Sequence, residues 1–219
     1  PSFEQTLLDR KREMIRELTN SAWSILAAYE AAERAGTLTR AEAQAAAAAV
    51  VRELRYGEDG LDYFWIQDTE PAMVMHPYRP DLEGEDISGF TDPLGAPIFV
   101  EFADVVEAQD DGYVDYVFQR FDDVQRQEPK ESYVKGFEPW DWVIGTGMYV
   151  DDVQAEIERI ERNLLFAAVG ISGVIALLLL LVLQQSLRIE RRREEGVERL
   201  RDSNARYHAL VEATSEGTL

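Results

Sequence analysis

The chain has 219 residues, 46% of them hydrophobic, with 42 acidic side chains against 22 basic ones and a net charge of -20. That excess of acid excludes nucleic acid as a partner, since phosphates need basic patches to neutralise them, and the lack of cysteine excludes disulfides and thiolate chemistry. The length allows one or two domains with a real core.

Leu7, Leu8, Met14, Ile15, Leu18, Trp23, Ile25, Leu26 and Tyr29 recur at helical spacing between charged residues, so residues 1–35 are predicted as one long amphipathic helix. The sequence opens inside this pattern and without methionine, so an upstream anchor, a first transmembrane helix, is expected. Gly36 stops the helix. Thr39, followed three residues later by Glu42, has the pattern of a capping box for a second, alanine-rich helix over 41–54.

Residues 62–89 read as a hairpin and a capping loop. Two β-favouring runs, 63–67 and 73–78, flank the turn Asp68-Thr69-Glu70-Pro71, and Pro80, Gly84 and Gly89 punctuate the capping loop. Alternation puts Tyr63, Trp65 and Gln67 on one face and Phe64 and Ile66 on the other. One face suits a core and the other a pocket. Ile98, Phe99, Phe102, Val105 and Val106 predict a helix over 97–109, with Phe102 in the core. Strands are predicted over 113–120, 131–137 and 142–150, separated by a polar insert at 122–129 and the turn Pro139-Trp140-Asp141. Five strands, without crossover helices among the last three, predict an α+β fold with an antiparallel sheet. Gly145 and Gly147 lie inside the last strand, where they read as close backbone approach and not as a nucleotide loop.

Residues 151–163 return to helix and lead into 164–183, which carry no charge and match the roughly 20 apolar residues that cross a bilayer. Arg188, Arg191, Arg192 and Arg193 follow the span, while Asp151, Asp152, Glu156, Glu158 and Glu161 precede it. The positive-inside rule therefore puts the C-terminal side in the cytoplasm and residues 1–160 outside the inner membrane. Residues 187–207 are charged and helical, with a thin seam of Ile189, Val197 and Leu200 that suits a parallel homodimer. The stretch Arg206-Tyr207-His208-Ala209-Leu210-Val211-Glu212 resembles the opening of a PAS domain. The expected division is 1–160 sensor, 161–186 span, 187–205 linker helix and 206–219 the start of that PAS domain.

No catalytic constellation, metal site or cofactor site is expected. His76 and His208 fall on opposite sides of the membrane, and nucleophile motifs, phosphate loops and zinc spacings are missing. The acidic pairs Asp110-Asp111 and Asp122-Asp123 read as solvated surface and not as calcium ligands.

The blocks YFWIQDTEPAMVMHPYRPDLEGEDI, FVEFADVV, GYVDYVF and SYVKGFEPWDWVIGTGMYVDDV resemble, in this order, the single Cache sensor domain (sCache_2 type) of bacterial chemoreceptors and sensor kinases. The resemblance covers about residues 3–160. It implies a long N-terminal helix packed on a PAS-like antiparallel sheet, a pocket between the sheet and the loops after the hairpin, and a small carboxylate ligand such as acetate, propionate, pyruvate or lactate. A carboxylate withdrawn from water needs cationic or N–H partners. Lys135, on one strand face with Tyr133, is assigned as the main countercharge, against a surface lysine at a sheet edge. His76 is assigned as a hydrogen-bond donor, against a structural histidine. Arg79 either joins the site or fixes its loop by pairing with Asp81 or Asp86. Alternation sends Met75 and His76 to opposite faces, so one of them misses the pocket unless Pro77 breaks the strand. Tyr63, Trp65 and Tyr116 offer flat walls with polar tips, against ordinary core packing.

The expected function is ligand sensing and transmembrane signalling, with a histidine kinase as output because a PAS domain directly follows the linker. A diguanylate cyclase or a chemoreceptor is the alternative. A third reading, an interaction module without a metabolite, separates from these on whether Lys135, Tyr133, Trp65 and His76 converge on one concave site.

Overall fold

The amphipathic pattern at the start of the chain forms α1 (Phe3–Arg34) in a computed structural model, which describes residues 3–57 and 59–216 and the side chains of 5–57, 59–186 and 188. Ile15, Thr19, Ala22 and Leu26 form its buried stripe, and Thr19 lies there at no hydrogen-bonding cost because its hydroxyl donates to the Ile15 carbonyl at 2.8 Å. Gly36 ends the helix at φ +74°, a conformation that only glycine adopts freely. Thr39 and Glu42 make the reciprocal capping box that opens α2 (Arg40–Glu53), whose Ala43, Ala47 and Val51 are buried.

Five strands follow: β1 (Phe64–Asp68), β2 (Met73–Met75), β3 (Asp111–Arg120), β4 (Asp123–Phe137) and β5 (Trp142–Tyr149), with α3 (Ile98–Gln109) between β2 and β3. They form one antiparallel sheet in the order β2-β1-β5-β4-β3. The last strand in sequence is therefore central, and all eight of its residues are buried. The α+β architecture expected from the sequence is the one observed.

The period-two alternation of β1 divides the interior. Phe64 and Ile66 pack with Met75, Phe137 and Ile144 against Ala22, Leu26 and Val51 of the two N-terminal helices. Tyr63 and Trp65 face the other way, into a second core with Val134, Tyr116, Phe118, Ile87 of the loop, and Ile98, Phe99 and Phe102 of α3. Gly145 is opposite Trp65 in the ladder and lets the indole lie directly against the β5 backbone.

The polar insert expected at 122–129 is instead the first half of β4. Residues 123–129 pair with β3 alone, since β5 begins its pairing at Lys130. Residues 123–127 are exposed, and the first buried position of this half is the charged Glu128, so the stretch carries no apolar alternation to read.

The chain divides into two units, Pro1–Glu158 and Arg159–Leu219. In the first, the opening of α4 (Val150–Glu216) is held by Val153, packed with Ile15, Tyr133 and Met148, and by a Lys11–Glu156 ion pair at 2.7 Å. In the second, α4 carries a stretch of mean hydropathy 2.8, none of it buried, long and apolar enough to cross a membrane. The seam residues Ile189, Val197 and Leu200 lie outside the described side chains, as do those of 206–216; residues 217–219 lie outside the described residues altogether.

A Cβ at Gly145 would sit 2.6 Å from Cζ2 of the buried Trp65. Gly145→Ala is expected to cost about 1–3 kcal/mol, the usual range for overpacking a filled core. Urea unfolding measures it; an unchanged midpoint would show that the indole yields freely.

Candidate functional site

The cation at the centre of the second core is Lys130, not Lys135. Within β4 the face alternates, so Lys130, Ser132 and Val134 point away from α1 while Tyr133 and Lys135 point toward it. Lys130 is 2% exposed. Its Nζ donates to the Tyr63 hydroxyl at 2.9 Å and lies 4.2 Å from the centroid of the Tyr63 ring, 4.8 Å from that of Tyr149, and 5.8 Å from those of Trp65 and Phe118. Among the described residues no carboxylate lies at ion-pairing distance from it. Aromatic faces attract the ammonium but do not replace a counterion. Burial accordingly lowers the Lys130 pKa to about 7, against a raising effect from the charge of Asp62. Burial in turn raises Asp62 to about 6.

His76 belongs to the same cluster, its ring 4.9 Å from that of Tyr63 and 5.7 Å from that of Phe118. Its Nδ1 accepts backbone N–H bonds from Tyr78 and Arg79 at 3.2 and 3.0 Å. An Nδ1 that accepts puts the proton of the neutral ring on Nε2, which makes that atom a donor. Burial first, and then Lys130, hold the histidine pKa well below its ordinary value, so the ring is neutral. The loop carrying it is tied down by Glu83, which accepts from the His76 N–H at 2.9 Å and pairs with Arg52 at 2.7 Å. Tyr116 contributes a wall, its hydroxyl 2.9 Å from Ser132 Oγ and its ring 5.1 Å from Phe102, whose own ring lies tilted at 5.3 Å from that of Trp65. Trp65 Nε1 and Gln67 Oε1, on the same face of β1, are buried polar atoms without a partner among the described residues.

The structure thus brings together Tyr63, Trp65, His76 and Tyr116 of the expected set. It does not bring the other four. Lys135 turns to α1, where Nζ donates to Asn20 Oδ1 at 2.7 Å and lies 5.0 Å from the Trp23 ring centroid. Tyr133 packs with Ile15 and Val153. Met75 lies in the core under α1 and α2, as strict alternation requires once His76 faces the other side. Arg79 forks onto Asp81 at 2.7–2.8 Å, the loop-fixing alternative, and also donates to Gln119 Oε1 at 3.1 Å. Arg79 and Phe118 also border a cavity of about 260 Å³ beside the cluster, between the Phe90–Pro93 loop and β3. Lys130 and Tyr149 were missed in the sequence. Starting β4 one residue earlier than Glu131 would have put Lys130 in the strand, on the face opposite Lys135, but the polar ribbon before it hid the strand.

The family described as Single Cache domain 2 matches residues 7–163. The chain is 44% identical over 178 residues to the methyl-accepting chemotaxis protein McpP of Pseudomonas putida, covering 80% of this chain and 32% of that protein. It is 34% identical over 155 residues to the sensor histidine kinase MctS of Rhizobium johnstonii, covering 71% and 32% respectively. A solved structure described as showing carboxylic acid recognition by a Cache chemosensory domain is 38% identical with a TM-score of 0.64, covering 68% of this chain and 99% of that one. The chain spans about a third of the length of the curated relatives it matches.

Unfolded, Lys130 keeps its proton to an ordinary pKa of 10.5; folded, it sheds it at about 7. Stability should therefore rise with pH between those values, because the unfolded state binds the extra proton there. Lys130→Met is expected to unfold about 1–2 kcal/mol later than the wild type below pH 7. That advantage should shrink as pH rises toward 10. Paired denaturation curves at pH 6 and 9.5 check both statements; a wild type that matches Lys130→Met at pH 6 would mean that the ammonium is not desolvated.

Proposed function

The chain belongs to the single Cache domain 2 family, and on that premise we propose that residues 1–160 are an extracytoplasmic sensor of a small carboxylate such as acetate, propionate, pyruvate or lactate. The observation that carries the proposal is Lys130, an ammonium buried among aromatic rings without a carboxylate of its own. A ligand carboxylate supplies that missing countercharge. Lys130 holds one oxygen, the Nε2–H of His76 and the Tyr63 hydroxyl donate to the carboxylate, and Trp65, Tyr116 and Phe118 enclose the short carbon chain. Trp65 Nε1 and Gln67 Oε1 offer a donor and an acceptor to any further polar group of the ligand. The relative whose structure is described by its carboxylic acid recognition supports the ligand class.

Residues 161–186 are then a single span, with 187–205 a signalling helix on the cytoplasmic side of the inner membrane and 206–219 the opening of a PAS domain; a parallel homodimer pairs the helices. The arginines after the span support this orientation. The output beyond is a histidine kinase, as in the relative MctS. The more similar McpP favours the second reading, a chemotaxis receptor. Against an interaction module without a metabolite, the four residues set to decide it divide: Trp65 and His76 lie together with Lys130, whereas Lys135 and Tyr133 turn to α1, and it is the buried Lys130 beside the first pair that supports the metabolite reading.

Calorimetric titration of the membrane-reconstituted chain with acetate, propionate, pyruvate and lactate tests the reading. At least one acid is expected to bind the wild type. Lys130→Met should weaken it by about 1.5–3 kcal/mol, the size of a charge-assisted contact, while Lys135→Met leaves it within about twofold. Loss in Lys135→Met with retention in Lys130→Met would overturn the assignment, and no heat with any acid would overturn the ligand class.

A further inference from the structure

We propose that Tyr149 and Arg120 couple the Lys130 site to the first turn of α4. The identity of the site's occupant rests on the carboxylate-sensor reading; the coupling path does not. Tyr149 is the last residue of β5, is 1% exposed, and is followed directly by Val150, the first residue of α4. Two cations bear on its ring, Lys130 Nζ at 4.8 Å and the Arg120 guanidinium at 5.0 Å from the centroid. Its hydroxyl donates to the Gln119 carbonyl at 2.7 Å and accepts from the Phe121 N–H at 3.3 Å, the two residues that flank Arg120. Arg120 completes the path. One guanidinium nitrogen meets both carboxylate oxygens of Asp152, in the first turn of α4, at 2.7 and 3.0 Å. The other holds Glu128 at 2.6 Å, two residues before Lys130 in β4.

The unequal exposure of these groups says which link gives. The side chains of Arg120 and Glu128 are 15% and 9% exposed, whereas that of Asp152 is 50% exposed. The inner pair is anchored in the sheet, and the outer one is the weaker, solvent-screened contact. Lys130 and Arg120 carry like charges and share one ring. An anion paired with Lys130 removes its claim on that ring and its repulsion of Arg120, so Arg120 closes more firmly on Tyr149 and Asp152. The site's occupancy is then written into the order of the first turns of α4. This satisfies the requirement that a ligand shift an equilibrium only through a difference in its interaction with two states.

Hydrogen exchange on the full chain in lipid nanodiscs tests the coupling. The relevant amides are those of residues 154–158, beyond the four N–H groups that a helix start leaves unbonded. Lys130→Met, which removes the charge permanently, should slow their exchange about fivefold or more, the lower end of ordinary coupling strengths. In the Arg120→Gln background the same substitution should change nothing. Propionate on the wild type should reproduce the effect of Lys130→Met. Equal slowing by Lys130→Met in both backgrounds, or none in either, overturns the coupling even if calorimetry finds propionate bound. A background-dependent effect of Lys130→Met with no binding of any acid upholds the coupling and rejects the ligand class. Should Arg120→Gln not fold, Asp152→Asn takes its place, since it removes the exposed contact to α4 and leaves Arg120 paired with Glu128 in the sheet.

Discussion

The interaction on which the rest of the sensor unit depends is a buried ammonium held by aromatic rings. Lys130 lies within 6 Å of four ring centroids and hydrogen-bonds the Tyr63 hydroxyl. Desolvating a charge in this way is costly, and the rings recover only part of that cost. The surrounding structure must therefore hold the cation in place by geometry: β4 and β5 fix its backbone through the ladder, Tyr63 is fixed because Thr146 donates to its carbonyl at 2.6 Å, and His76 is fixed by its loop. A domain that only needed stability would carry an apolar side chain here.

The two faces of the sheet do different work, and the alternation of β1 separates them. The face under α1 and α2 is an ordinary core of aliphatic and aromatic side chains. The other is covered by α3 and by a long loop, which supply aromatic walls but leave polar groups such as His76, Gln67 and Ser132 buried among them. The central position of β5 links the two. Gly145 and Gly147 let Trp65 and Ser132 approach its backbone, and its last residue passes from the polar core directly into α4. The sheet order therefore puts Tyr149, the ladder partner of Lys130, directly before α4.

Much of this was legible in the sequence for local reasons. The Thr39–Glu42 cap, the Gly36 stop and the division of β1 faces depend on residues a few positions apart, and each appears as read. The antiparallel sheet followed from turn signals and spacing. Which lysine is buried in the second core was not legible, because it depends on the phase of one strand. Lys130 and Lys135 are five residues apart, so they necessarily face opposite sides, and deciding between them required knowing which side α1 covers. Local alternation could not say that; the hydrogen bond from Lys135 to Asn20 does. The polar start of β4 added to the difficulty, since it made Lys130 look like the end of a loop. Arg79 shows the other limit: an arginine beside Asp81 satisfies itself locally, and no pattern distinguishes that from a ligand contact.

The magnitude of the Lys130 perturbation sets what a ligand can do from this site. A pKa lowered from 10.5 to about 7 corresponds to about 5 kcal/mol of unfavourable charging at most. A carboxylate that restores the charged state offsets that cost, and it must also give up its own hydration. A small acid has few atoms with which to generate binding free energy, so a receptor for it cannot rely on contact area. Storing the free energy beforehand, as a cation buried without its counterion, is a way for a ligand of four to six heavy atoms to shift a helix-length equilibrium. On the coupling proposed above, the place of the cation beside the last residue of β5 is the favourable one: Lys130 pairs in the ladder with Tyr149, next to α4, so less of the recovered free energy is dispersed in the rest of the sheet.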